Sequence, residues 1–546
     1  MRPPAVLVIA AALVIAAATG FVLRGLVTGP VTGDPPSASA SAPAGDGPPA
    51  AMTPPGHRTE VALPAHIRWI AAGGGGDPSY NEVSLEQDLA LAREVFGPAG
   101  GVLLHAGGTG VDGVRVRDDR PGPLAESAGD DAQFALRSRL AELLDPRDRA
   151  VRYRPSALEG AGPATRELLT EALVAGLTEA SPDPLLFFFS GHGEQGDEAR
   201  YNTVHTWGGW GLSPADVTEL LDEARPSRPV VFVIAACFSG GFADLAFVGP
   251  GDDPVPDTAS DSESRPIEAA AGRCGVFAST WDRESAGCDP DPNRGAQGGY
   301  SMHFLNALRG RDAAGTALPR GELDYDGDGH ISVLDAHTRA RIASTSIDVP
   351  TTTSEAWLHH VSSGAPAPGR VSDQVQASQT IQSILPEEQA VIVALGARFG
   401  LHTAEAVDAR LDELEGRLDV AADRLDLLDE DMNDAWGAAR IALLERWPAL
   451  DDPYHRDYAP TLAASAGPIR RWFDEAPEAR TWAQAQRALD AEGDYLELEA
   501  QHAALLRLER AWQTAGLAAR LRAEGGPGWR AFEALRSCER SLPPTP

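Results

Sequence analysis

There is no lysine in this sequence; all 46 basic residues are arginine. That absence removes a Walker-type Gly-Lys-Ser/Thr phosphate loop and a Schiff-base lysine from consideration. Positive charge of any kind is scarce, because 79 acidic residues leave a formal net charge of −33. Nucleic acid is therefore excluded as a partner, since neutralising phosphates calls for clustered basic side chains. Cysteine is also sparse, four in 546 residues, so no disulfide scaffold is expected and each cysteine has to be weighed alone. The histidines His303, His330, His337, His359 and His360 form no HExxH pattern and no pairing with cysteines, which leaves zinc unsupported.

What is present begins with an uncharged run. From Pro3 to Leu23 there are 21 residues without a charge, enough to cross a bilayer as a helix. Residues 1–28 are expected to act as a signal anchor, or as a signal peptide if the chain is cut near Ala16-Ala17-Ala18. The apolar run continuing through Leu23 to Arg24 favours the anchor. Residues 29–60, rich in Pro, Ala, Ser and Gly, read as a tether. The expected location is outside the cytoplasm, held to a membrane by the N-terminal helix, or secreted or periplasmic if that segment is removed.

From about residue 60 short apolar runs alternate with amphipathic stretches. The runs 66–72, 101–106, 185–189, 230–236 and 275–279 have the length of strands buried on both faces. Between them "SLEQDLALAREVF" and "ATRELLTEAL" carry helical spacing, and "SPADVTELLDEA" adds Ser213 as N-cap, Pro214 in the first turn and Asp216 three residues after the cap. The alternation predicts an α/β domain with a mainly parallel sheet, whose chemistry collects beyond the carboxyl ends of the strands. His192 follows one such strand in "LLFFFSGHG" and Cys237 follows the next in "VVFVIAACFSGG", 45 positions on, with Gly240 and Gly241 permitting a tight turn. A thiol beside an imidazole is a nucleophile with its proton-transfer partner.

The segments "FFFSGHG", "FVIAACFSGG", "VFASTWDRESAGC" and "GGYSMHFLNAL" together resemble the clan CD cysteine peptidases, and within them the legumain-type family, over about residues 64–362. The resemblance implies a caspase-like three-layer sandwich. It also implies attack of the Cys237 thiolate on a peptide carbonyl, His192 as general acid, and an oxyanion hole from the Gly193 and Cys237 N–H groups. "SYNEVSLEQD" is similar to the family loop whose asparagine orients the histidine, which carries over to Asn81. Substrate contacts are expected from Ala235 and Ser239 beside the nucleophile, and from Thr280, Trp281, Arg283, Glu284 and Ser285, a segment placed to pair with a peptide backbone. Specificity departs from the family. The charged pocket positions of asparagine-cutting legumains read Val83-Ser84, Ala235 and about Gly298 here, so no P1 residue is assigned.

"DYDGDGHISVLD" follows the calcium-loop template. Asp324, Asp326 and Asp328 stand at positions 1, 3 and 5, Gly329 at 6, His330 at 7, Ser332 at 9 and Asp335 at 12, where the template has glutamate. The shorter last carboxylate predicts a weak structural Ca²⁺ site at which Mg²⁺ competes. Cys274 and Cys288 flank the substrate segment, and an exported location permits a disulfide between them, two separate thiols being the favoured expectation; Cys538 has no evident partner. The stretch 251–266 reads as a solvated acidic loop that proteases can reach.

Residues 380–540 are nearly strand-free, with Val407, Leu411, Leu414 and Leu418 at helical intervals among charges, as in a coiled coil or helical hairpin. Self-packing and the docking of a protein partner are equally compatible with this pattern. The expected organisation is thus anchor 1–28, tether 29–60, peptidase domain 61–365 containing the loop 324–335, and an all-α region 380–540. The expected activity is that of a membrane-tethered cysteine endopeptidase acting on peptides or proteins. A transpeptidase or transamidase using the same thioester, and an inactive caspase-like calcium-dependent interaction module, are the alternatives.

Overall fold

The computed structural model describes residues 63–117, 136, 139, 140, 142–144, 151–209, 211–247, 272–362, 385–452 and 455–544. The expected anchor, the tether and the acidic stretch 251–266 lie outside the described residues. Among those described, no single helix is long and apolar enough to cross a membrane.

Strands β1 (Trp69–Gly74), β2 (Gly101–His105), β3 (Asp112–Arg117), β4 (Val151–Pro155) and β5 (Leu185–Gly191) are followed by two short strands and a third, β6 (Gly193–Glu194), β7 (Thr203–His205) and β8 (Gly211–Leu212). Then come β9 (Val230–Ala235), β10 (Arg273–Phe277) and β11 (Thr351–Thr352). Six of them form one sheet in the order β11-β10-β9-β5-β1-β2. Every pairing in it is parallel except that of β10 with β11. Alternation within the apolar runs explains why they are continuous. Leu186 and Phe188 enter one core with Val231 and Val233, while Phe187 and Phe189 enter the other with Phe232 and Ile234. Both faces are covered, so each residue of β5 and β9 is buried.

Helices α1 (Val83–Phe96), α2 (Arg166–Thr178), α3 (Pro214–Ala224), α4 (Tyr300–Leu308), α5 (Val333–Ala343) and α6 (Thr353–Ser362) accompany the sheet. The cap read from the sequence of α3 is present as a reciprocal box between Ser213 and Asp216. Beyond them run α7 (Pro386–Phe399), α8 (Ala404–Arg446), α9 (Tyr458–Glu475), α10 (Pro477–Asp490), α11 (Asp494–Glu524) and α12 (Gly526–Glu539). Val407, Leu411 and Leu414 are buried along the 43-residue α8, as their spacing requires.

These helices do not stand apart from the sheet, because Leu63–Pro546 form one compact unit. Phe532 and Leu535 of α12 enter the same core as Phe188 and Val276. Arg507 of α11 donates to the carbonyls of Ser344 and Asp348 at 2.9 and 2.7 Å. Glu539 accepts from Thr353 Oγ1 and Ser354 Oγ at 2.7 Å each. Cys274 of β10 is bonded to Cys538 of α12, 264 residues away. The cysteine without an evident partner in sequence therefore takes the one expected to pair, if at all, with Cys288. The fold brings α12 against β10, whereas Cys288 lies on the segment leaving the sheet, where it stays a free thiol.

Candidate active site

His192 and Cys237 extend from adjacent strands. In the parallel register Ser190 of β5 stands opposite Ala235 of β9, and each strand then runs two residues further to its reactive side chain. The approach of the two ends is close enough to need glycine. A Cβ on Gly193 would lie 2.1 Å from the Cys237 carbonyl oxygen, and one on Gly240 would lie 2.6 Å from the Trp281 nitrogen. Phe238, directly after the cysteine, has φ 59°, a left-handed conformation that an aromatic residue adopts only when its surroundings hold it there. Two bonds do so. Its N–H donates to the Arg283 carbonyl at 2.8 Å, and its carbonyl accepts from Asn202 Nδ2 at 2.9 Å.

The segment Thr280–Ser285 closes over the thiol. Ser285 N–H donates to Cys237 Sγ at 3.3 Å, and the thiol donates to the Ser285 carbonyl at 3.5 Å. Ser285 is fixed in turn by Asp348, whose Oδ1 accepts from its hydroxyl at 2.8 Å and from the Ala286 N–H at 2.7 Å. Asn202 Nδ2 also donates to the Trp281 carbonyl at 2.7 Å, tying this wall to the turn after the nucleophile. Thr280 Oγ1 bonds Asp282, and buried Ser239 accepts from the Ser279 N–H at 3.2 Å. Arg283 and Glu284 are half-buried on the same segment. Burial foremost, then the charge of Cys288, pushes the Cys237 thiol up from its ordinary value.

His192 has a different neighbourhood. Its Nε2 lies 2.9 Å from Glu82 Oε2, and Glu82 Oε1 accepts from Arg115 Nη1 at 3.2 Å. Burial works to lower the imidazole, but Cys288 and Glu82 outweigh it and raise its pKa well above the usual histidine value. Burial likewise opposes ionisation of Glu82, and the hydrogen bond and charge of His192, helped by Arg115, hold its carboxyl low. Tyr80 meets the His192 ring edge-on and His205 stacks against it, with centroids 5.8 and 6.2 Å away. His192 and Glu82 thus favour each other's charged forms, beside a Cys237 thiol that burial keeps from ionising.

Asn81, expected to orient the histidine, is fully buried with its amide on the backbone: Oδ1 accepts from Gly75 N–H at 3.2 Å and Nδ2 donates to the Gly113 carbonyl at 2.8 Å. The next residue, Glu82, reaches the imidazole instead. An imidazolium calls for an anion, and the neutral amide finds its partners on the backbone, at Gly75 after β1 and at Gly113 in β3. Glu82, Asn202 and Asp348 escaped the sequence reading, and Cys288, read there only as a flank of the substrate segment, was not placed beside the histidine. Glu82 alone had a local signal, its place beside the Tyr-Asn pair.

A small recess lies next to the Cys237 strand end, lined in part by Leu85, Asp88, Ser190, Ala235, Ser285 and Cys288. Of the residues expected to contact substrate, Ala235 and Ser285 are among its lining. Asp88 is a buried charge that the comparison of pocket positions did not reveal; it pairs with Arg294 Nη2 at 2.7 Å and accepts from Ser190 Oγ at 2.9 Å.

The acidic loop lies elsewhere. Carboxylate oxygens of Asp324, Asp326 and Asp328 all fall within 4.8 Å of one another. Asp324 Oδ1 is buried with no hydrogen-bond partner, the condition of a ligand atom facing a cation, while its Oδ2 accepts from Gly329 N–H at 2.9 Å. His330 is exposed and its N–H donates to Asp328 Oδ1 at 2.7 Å. Ser332 and Asp335 are engaged differently. They form the capping box of α5, and the remaining Asp335 oxygen accepts from Tyr325 N–H at 2.9 Å. Burial, with a contribution from Asp326, lifts the Asp335 carboxyl to about 6. Three of the six expected ligand positions therefore converge, and the last carboxylate is committed to the helix start.

Compared with known protein families and with curated proteins, the chain matches neither a family model nor a characterised sequence.

Proposed function

We propose that this chain is a cysteine endopeptidase of the caspase-like kind, nearest to the legumain type, exported and held at a membrane by its N-terminal segment. The observation that carries the proposal is the pairing of β5 with β9, which sets His192 and Cys237 at neighbouring carboxyl ends of a parallel sheet. The glycine-dependent approach of Gly193 to the Cys237 backbone supports an oxyanion hole built from those two N–H groups.

In this mechanism the substrate carbonyl enters beside Ala235 and displaces the Ser285 backbone from the thiol. The Cys237 sulfur forms a bond to the carbonyl carbon as its proton passes to solvent water; His192, held protonated by Glu82, gives a proton to the amine as the carbon–nitrogen bond breaks, and is reprotonated from solvent. Water then hydrolyses the thioester and restores the thiol. The wall Thr280–Ser285, through Thr280, Trp281, Arg283, Glu284 and Ser285, lies along the substrate backbone. Asp324, Asp326 and Asp328, with the His330 carbonyl, fit a structural Ca²⁺ or, more weakly, Mg²⁺; the bound ion would neutralise the loop and take no part in peptide cleavage.

The test is incubation of the purified full chain with a diverse peptide library, with and without Ca²⁺, beside Cys237→Ala. Cleavage lost in the variant is the expected result. A folded chain that cleaves nothing, although its free thiols are alkylated normally, overturns the proposal.

A further inference from the structure

Cys288 takes no part in the mechanism above, yet it stands at the catalytic histidine. One donor atom each from Glu82, His192 and Cys288 lies within 4.8 Å of the other two. The three come from separate stretches of chain that are strapped together. Ser84 Oγ accepts from Asp289 N–H at 2.8 Å, and Ser84 N–H donates to the Asp289 carbonyl at 3.3 Å, so the residue after Cys288 is bonded two residues beyond Glu82. Glu82 is 4% exposed and its second oxygen is held by Arg115, the outer support that a ligating carboxylate ordinarily has.

We propose that Glu82, His192 and Cys288 form a site for a thiophilic divalent cation of the zinc class, and that its occupancy reversibly silences the dyad by engaging the imidazole. The second half rests on the peptidase reading; the first does not. One thiolate, one imidazole and one carboxylate make a mixed donor set that favours zinc over calcium, with the fourth position left to water. Bonds of about 2.0–2.3 Å place donors in a tetrahedral site about 3.3–3.8 Å apart, so the cluster has to adjust by at most about 1.5 Å. Binding displaces the Cys288 proton and the proton on the ligating nitrogen of His192, both released to solvent. The acidic loop at Asp324, Asp326 and Asp328 offers only oxygen and selects the harder ion, so the two sites are separable by metal. Sequence spacing concealed the cluster because its members lie 96 to 206 positions apart.

The test uses the full chain carrying Cys237→Ala with Ca²⁺ in excess. With Cys274 bonded to Cys538, Cys288 is then the sole free thiol. Titration with Co²⁺ is expected to raise a thiolate charge-transfer band in the near ultraviolet that saturates at one ion per chain, is removed by Zn²⁺ and is absent from a Cys288→Ser variant. Zn²⁺ is expected to slow alkylation of Cys288, and Glu82→Gln to weaken Co²⁺ binding at least about tenfold while the free thiol still reacts with iodoacetamide. No band, a band unaffected by Glu82→Gln, or alkylation indifferent to Zn²⁺ overturns the site. If the wild-type chain cleaves peptides while Cys237→Ala gives no band, this proposal is lost and the peptidase is kept; if the wild-type chain cleaves nothing while Cys237→Ala gives the band, the site is kept and the peptidase is lost. Wild-type cleavage that Zn²⁺ fails to slow, or slows equally in Cys288→Ser, overturns the silencing.

Discussion

Among the described residues two clusters of buried charge invite comparison, one at the carboxyl ends of β5 and β9 and one where α12 meets the rest of the chain. In the second, Arg536 Nη2 and Nη1 reach Glu387 and Glu388 at 2.8 and 3.2 Å, Arg341 pairs with Glu388 at 2.7 Å, and Arg540 Nε donates to Glu387 at 2.7 Å. Burial opposes the ionisation of Glu387, yet Arg536 and Arg540 bring its carboxyl down to about 2. Each of these groups already has at least one counter-charge within ion-pair distance, and no thiol or other nucleophile is among them. At the first cluster the charges of Glu82 and His192 stand beside two free thiols and a glycine-lined approach. Buried, perturbed charge alone therefore does not mark a site; the mark is perturbed charge next to a group able to form a new bond.

The contrast is broken most directly by removing one group from each cluster. Cys237→Ala is expected to lower kcat/KM for peptide cleavage more than about 1,000-fold, while urea unfolding shifts by less than about 1.5 kcal/mol. Arg536→Ala should do the reverse. It strands Glu387 and Glu388 without their cation and is expected to destabilise the chain by about 3–5 kcal/mol in the same urea assay. Activity measured on the remaining folded fraction should be unchanged. If Arg536→Ala lost activity without losing stability, the two clusters would not be separate.

The sheet was legible because β5 and β9 are buried on both faces, which forces continuous apolar runs, and because α3 carries its own start signal at Ser213. The neighbouring placement of His192 and Cys237 was legible for the same reason, since a polar residue after such a run has nowhere to lie but the strand end. Glu82, Cys288 and Asn202 were not, because their placement follows from loop packing across long separations that no local pattern encodes. Asn81 shows the limit of reading by resemblance. The motif drew attention to the loop that meets His192, and the contact is made by the neighbouring carboxylate of Glu82. The bond from Cys274 to Cys538 was hidden likewise, because it depends on a helix 264 residues away returning to β10.

That bond sharpens the comparison from the structural side. Cys538→Ser is expected to lower stability by about 2–4 kcal/mol, read from the urea midpoint at constant m. Cys288→Ser should leave the midpoint nearly where it is, because Cys288 closes no covalent loop. Equal effects of the two substitutions would place the free thiol among the residues that hold the fold.

One place remains where charge from the docked helices meets the wall of the site. Glu499 of α11 is 8% exposed, and burial lifts its carboxyl to about 7, Glu284 adding to the rise and Arg283 opposing it. Burial also raises Glu284, again against Arg283, so two acids share one cation on the segment that covers Cys237. A carboxyl whose folded pKa stands above its unfolded value binds its proton more tightly in the native state. Its contribution to stability is present in full below about 4.5 and is lost as pH rises through about 7. Glu499→Gln removes that titration and is expected to flatten the dependence of unfolding free energy on pH by up to about 1.4 kcal/mol per pH unit within this window. The check is a series of urea melts from pH 4.5 to 8. A slope unchanged by the substitution would mean that Glu499 titrates as a solvated acid, and that no acid of α11 bears on the wall over the nucleophile.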